Sequence, residues 1–148
     1  MSLRLANVGD FDDCLRMARL FHEKSPYGDR EFSEEKCLEI FNNYLEDGGR
    51  NLIFILAEDK DVFGMIIGLR SELPFSSDVV CTELAWWIDE DHRGSRDSLL
   101  LFKAYEDWSR RVGGDIKAVA MLDGVTNLSD FYTRQGYRRA ESTYIKEI

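Results

Sequence analysis

The spacing of apolar positions changes several times along the chain, and each change predicts an element. Leu3 to Asn7 reads as a short first strand. Phe11, Leu15, Ala18 and Phe21 then recur at helical spacing, with Asp10 placed to cap the helix. Ser25-Pro26-Tyr27-Gly28-Asp29 breaks it. Cys37, Ile40, Phe41 and Tyr44 mark the buried face of a second helix. Ser33 is its cap, Phe32 and Cys37 form a staple, and Gly48-Gly49 ends it. Leu52 to Ala57 is a continuous apolar run, the pattern of a strand covered on both faces. The polar turn Asp59-Lys60-Asp61 joins it to a second such run, Val62 to Leu69, which predicts a hairpin. Val79 to Ile88 is a third strand. Leu101, Tyr105, Trp108 and Val112 form the stripe of an amphipathic helix stopped by Gly113-Gly114. Ile116 to Leu122 reads as a strand, Leu128 to Gln135 as a short helix closed by Gly136, and Tyr137 to Ile148 as a final strand. The order β-α-α-β-β-β-α-β-α-β predicts an α/β fold, a mixed and mostly antiparallel sheet with helices on both faces.

Composition narrows the class. With 148 residues, no repeat and no linker, the expectation is a single domain over residues 1–148, large enough to bury a core without staples. No apolar stretch approaches the roughly 20 residues of a membrane span, and Met1 to Asn7 lacks a signal-peptide core. Cys14, Cys37 and Cys81 are odd in number and sit in apolar segments, which suits buried thiols in a reducing cytoplasm. With only His22 and His92, and no close Cys/His cluster, no metal site is expected. A net charge of −9 disfavours generic nucleic-acid binding. It suits a cationic partner such as a primary amine or a basic protein segment, although plain solubility accounts for the same composition.

The chemistry concentrates where the third strand runs through a polar turn into a helix, from Glu83 to Ser98. A helix start leaves several N–H groups unpaired and pointing one way, and the helix dipole makes that end an anion site. Arg93 and Arg96 add positive charge there on an otherwise acidic chain. A solvated helix start, its arginines paired with Asp91 and Asp97, is the competing reading.

This stretch resembles the cofactor-binding motif of the GNAT superfamily of N-acetyltransferases, Arg/Gln-x-x-Gly-x-Gly/Ala opening a helix. Arg93 takes the first position, Arg96 stands at the first glycine and Ser98 at the last small residue. A second landmark, a Tyr followed by a Gly-aromatic pair, is similar to Tyr132 with Gly136-Tyr137. The family's Asn before the Tyr falls on Val125, with Asn127 closer than usual. The resemblance implies acetyl-CoA as acyl donor and direct attack of an amine, from a small molecule or a protein, on the thioester. It implies that Trp86 and Ile88 lie along the pantetheine arm, and that Arg93, Gly94, Ser95, Arg96, Asp97 and Ser98 hold the pyrophosphate. The role of Asn127 near the cofactor stays open, as does a homodimer. Tyr132 would protonate the leaving thiolate.

A base is needed because an alkyl amine arrives as ammonium. Glu83, in an otherwise apolar strand, is the candidate, its side chain expected on the face of Ala85 and Trp87. A strand-edge glutamate facing solvent is the alternative. Glu72 and Asp123 are weaker candidates. Trp86 and Trp87 are expected as a core residue and a pocket wall, the register of the strand deciding which is which, and His92 in solvent. The competing function is a catalytically silent GNAT-like module that binds CoA or another protein; Arg96 in place of glycine keeps it open.

Overall fold

The computed structural model describes residues 1–124 and 127–148. Its frame is a five-stranded sheet in the order β1-β2-β3-β4-β5. The strands are β1 (Ser2–Leu5), β2 (Leu52–Glu58), β3 (Asp61–Glu72), β4 (Val79–Ile88) and β5 (Ile116–Ala118). The first four pair antiparallel, and β5 joins β4 in parallel. The predicted hairpin is present, turned at Asp59, the one non-glycine residue with positive φ among those described.

Helices cover both faces. α1 (Phe11–Lys24) and α2 (Glu34–Glu46) pack on one, where Met17 and Phe41 meet Ile55, Met65 and Trp87. α3 (Asp97–Arg111) packs on the other, where Leu101, Tyr105 and Trp108 meet Leu52, Leu56, Ile66 and Cys81. Each large apolar side chain fully buried this way contributes about 1.5–3 kcal/mol of transfer free energy. α3 approaches the sheet closely because Gly68 offers no side chain: a Cβ there would lie 2.7 Å from the Trp108 ring. α4 (Ser129–Arg134) follows β5. No helix among the described residues is long and apolar enough to cross a membrane.

Three expectations are corrected. Asp10 does not cap α1 with its side chain. It is buried, with its carboxylate 2.7 and 2.9 Å from the Arg4 guanidinium, and it closes a capping box with Asn7 ahead of α1. Ser33, by contrast, caps α2 through the Lys36 amide as predicted. The strand predicted over Ile116 to Leu122 stops at Ala118. The final strand predicted over Tyr137 to Ile148 does not form: the segment makes no ladder, and Tyr144 and Ile145 lie exposed. A strand needs a neighbour for its backbone groups, and without one they are left to water.

Candidate active site

The parallel pairing of β4 with β5 covers only Val80–Thr82 against Ile116–Ala118, after which β5 ends and β4 continues to Ile88. The strands therefore part at Thr82. The Tyr105 hydroxyl, fully buried, sits in this fork, 2.8 Å from the Cys81 carbonyl and 2.7 Å from the Ala118 carbonyl. A single hydroxyl proton thus serves two strands where their own ladder runs out.

Just beyond the fork β4 carries a bulge. Ile67 opposes Ala85 and the next residue, Gly68, opposes Glu83, so Leu84 is left without a partner. The bulge changes the phase of the strand. Opposed residues of an antiparallel pair share a face. Glu83 therefore projects with Gly68 toward α3, whereas Ala85, opposite Ile67, and Trp87 belong to the α1–α2 face. This overturns the expectation that Glu83 shares a face with Ala85 and Trp87. The register also decides between the two tryptophans. Trp87 is the core residue, its Nε1 donating to Asp89 at 2.9 Å, and the half-buried Trp86 lines a cavity and stacks on Phe102 with ring centroids 5.4 Å apart. The Trp86 indole N–H is buried without a hydrogen-bond partner among the described residues.

That cavity, about 70 Å³, opens between β4 and the segment after β5. Glu83, Leu84 and Trp86 line it from β4, Phe21 from α1, and Ala120, Met121, Leu122 and Leu128 from the far side. Glu83 is only 8% exposed. Burial, with no compensating cation, pushes its carboxyl up to about 8. Tyr132 is also buried, and its hydroxyl donates to the Ala120 carbonyl at 2.9 Å. Burial first, and the charge of Glu83 second, raise this phenol above its ordinary value, so it stays a proton donor at neutral pH. Glu72 and Asp123 are exposed and neither lines the cavity.

At the other end of β4 lies the turn into α3. The Arg93 guanidinium folds back on the strand, Nε donating to the Ile88 carbonyl at 2.8 Å and the group lying 4.6 Å from the centre of the Trp87 ring. Ile88 itself is buried against α3. Gly94 has φ +81°, a conformation that favours glycine. The Ser95 hydroxyl donates to the His92 carbonyl at 3.0 Å and accepts from the Asp97 amide at 3.3 Å; the Ser98 hydroxyl donates to the Ser95 carbonyl at 3.3 Å. Arg96 is exposed at the N-cap of α3 and its side chain caps nothing. Among the described residues neither arginine pairs with Asp91 or Asp97. The Arg93 and Asp97 amides are engaged, by the Glu90 carbonyl and the Ser95 hydroxyl, and the amides of Gly94, Ser95, Arg96 and Ser98, without a partner among the described residues, are the ones left to receive an anionic group such as a diphosphate. His92, expected in solvent, is half-buried and stacks on Phe63 at 4.0 Å.

The fold thus places Glu83 and Trp86 in the wall of one cavity, Tyr132 behind that wall through its bond to the Ala120 carbonyl, and Arg93 to Ser98 beyond the end of the same strand. Asn127 stands apart from this turn, its Oδ1 accepting from the Ser129 amide at 3.1 Å at the start of α4. Val125 lies outside the described residues. Sequence reasoning missed Leu84, Phe21 and Tyr105. A signal for the bulge was present: no strict two-residue period puts both Cys81 and Ile88 on one face, yet both are apolar and both face α3.

A mixed, mostly antiparallel sheet with two helices on one face and a third on the other matches the fold of solved GNAT acetyltransferases. A transcriptional regulator from Bacillus halodurans C-125 superposes with TM-score 0.78 at 14% identity, covering 99% of both chains. The aminoglycoside 6'-N-acetyltransferase AAC(6')-Ig from Acinetobacter haemolyticus gives 0.74 at 18% identity over 100% of this chain and 99% of its own. The aminoglycoside N-acetyltransferase AAC(6')-Iy, solved in complex with CoA, gives 0.77 at 13% identity over 99% and 93%. No family model matches the chain, and no curated protein matches its sequence. The likeness is therefore one of fold, which hosts more than one function.

Proposed function

We propose that the chain is a single-domain N-acetyltransferase that moves an acetyl group from acetyl-CoA to an amine. The observation that carries this reading is the fork: Glu83 is a buried carboxyl in the cavity wall, on a strand that leads directly to the start of α3, and the buried Tyr132 phenol on α4 bonds to the Ala120 carbonyl of the same wall. Acetyl-CoA supplies a thioester whose carbonyl an amine attacks.

The backbone from Arg93 to Ser98 holds the diphosphate, with Arg96 free to return a forked donor to a phosphate oxygen. The part of β4 from Glu83 to Ile88 has no ladder on the β5 side, and its peptide groups hold the pantetheine arm beside Trp86. Glu83, once ionised, takes a proton from the incoming ammonium. The nitrogen then forms its bond to the acyl carbon, and the carbon–sulfur bond breaks with its electron pair going to sulfur. Tyr132 gives the sulfur its proton and is reprotonated by the second proton leaving the nitrogen. Glu83 returns its own proton to water, so one proton is released per turnover. A carboxyl raised to about 8 suits this task, since a base is most effective when its pKa lies near the working pH.

The test is calorimetric titration with acetyl-CoA, followed by thiol release in the presence of an amine panel. Binding with amine-dependent thiol release supports the enzyme. Binding without turnover on any amine or basic peptide makes the chain a CoA-binding module. No binding at millimolar acetyl-CoA overturns the reading.

A further inference from the structure

We infer that the acceptor is a compact primary amine with one positive charge and an apolar body, an alkylamine or arylalkylamine rather than a polyamine or an aminoglycoside. The inference rests on the proposed acetyl transfer and specifies its substrate class. Glu83 is the one carboxylate among the described residues that line the cavity. The remaining walls are chiefly apolar, from Phe21, Leu84, Met121, Leu122 and Leu128.

Size points the same way. At about 70 Å³ the cavity admits an aminomethyl head and little more. The rest of the acceptor must lie at the rim, where Leu84 and Met121 are each 43% exposed. Leu84 stands there because the bulge leaves it outside the ladder. An apolar body covers both side chains, whereas a second ammonium there leaves that apolar surface in water. The solved aminoglycoside acetyltransferases share the fold, but their named substrates carry several amines, for which this cavity offers a single acid.

The experiment compares 2-phenylethylamine and hexylamine with spermidine and kanamycin, by initial rate with acetyl-CoA and by calorimetric binding of each amine in the presence of CoA and without it. The expected kcat/KM for the monoamines exceeds that for the polycations by at least about tenfold, the discrimination ordinarily obtained from one apolar contact. In Leu84→Asp, a change at an exposed position, this ratio falls by about tenfold or more and spermidine improves in absolute terms; Met121→Asp, at the opposite rim, shifts it in the same direction. Equal or better use of the polycations, or an unchanged ratio in both variants, overturns the inference while leaving acetyl transfer intact. Failure to bind acetyl-CoA overturns the proposed function, and the amine titrations without CoA still decide the cavity's preference. Absence of monoamine binding in both titrations overturns the inference.

Discussion

Replacing Glu83 with Gln reports directly on the buried carboxyl. Its folded pKa is about 8, against an ordinary value of 4.5, and burial is the cause. The folded protein therefore holds a proton that the unfolded chain has lost throughout the interval between those values. Stability of the wild type from this group is complete below 4.5 and falls as pH rises, by about 1.4 kcal/mol per pH unit, until Glu83 ionises in the folded state as well. From about pH 5 to about pH 8 the loss amounts to about 4 kcal/mol. Gln resembles the protonated acid and carries no such slope. Urea unfolding of both proteins at intervals of one pH unit measures the difference, and every other titrating group cancels in it. Asp10 is one such group, held below its usual range by Arg4 and contributing in the opposite sense, with stability lost as pH falls. The stability of Glu83→Gln relative to wild type should climb from about pH 5 to about pH 8 and then level off. A constant offset across that range would falsify the burial argument. In turnover, the wild type should gain kcat/KM with the ionisation of Glu83, and the Gln variant should lose most of that rise.

Three further outcomes follow from the same geometry. Tyr132→Phe should lower turnover by about 10²–10⁴-fold in pre-steady-state acetyl transfer while leaving acetyl-CoA affinity nearly unchanged, since a proton donor to the leaving sulfur acts in the transition state; full turnover in the variant removes Tyr132 from the chemistry. Arg96→Ala should weaken acetyl-CoA about ten- to a hundred-fold by calorimetry and flatten its salt dependence, the effect of losing a hydrogen bond to a charged group; a change under about threefold returns Arg96 to the ordinary surface. Tyr105→Phe leaves two buried carbonyls at the fork without their donor and should cost about 1–3 kcal/mol in urea unfolding, with KM for the acceptor rising as β4 and β5 lose their common anchor; unaltered stability and KM would show that the fork holds without it.

Much of this arrangement was legible before any coordinates. β2, β3 and β4 emerge almost residue for residue because long apolar runs bounded by a polar turn admit few other structures. Glu83 and Tyr132 stand out as a carboxyl in an apolar strand and a tyrosine beside a Gly-aromatic pair. What failed has physical reasons. The direction of Glu83 depends on one extra residue in β4, and a period of two conceals such an insertion unless both ends of the strand are fitted together. Asp10 resembled a cap, but its buried bond to Arg4 involves a contact between β1 and the start of α1 that local spacing does not display. His92 looked like a solvated loop residue because nothing nearby in the chain announces Phe63 as its stacking partner. The C-terminal segment is expected as a strand, yet its apolar residues Tyr137, Ala140, Tyr144, Ile145 and Ile148 do not alternate, and pairing is in any case a property of two segments.

The bulge at Leu84 makes the site sensitive to length as well as to residue type. Deleting this one amino acid would leave the composition of β4 almost untouched and restore an uninterrupted ladder with β3. The strand would then have to choose a phase. Keeping its C-terminal half in place would turn Glu83 to the opposite layer, beneath α1 and α2; keeping its N-terminal half would turn Trp86 and Trp87 inside out. No substitution elsewhere in the strand repairs either outcome. Homologous chains that keep this chemistry should therefore tolerate wide variation in the identity of residue 84 but not its loss. A one-residue gap at that point in a related sequence would mark a protein that retains the scaffold and has given up the buried carboxyl's task.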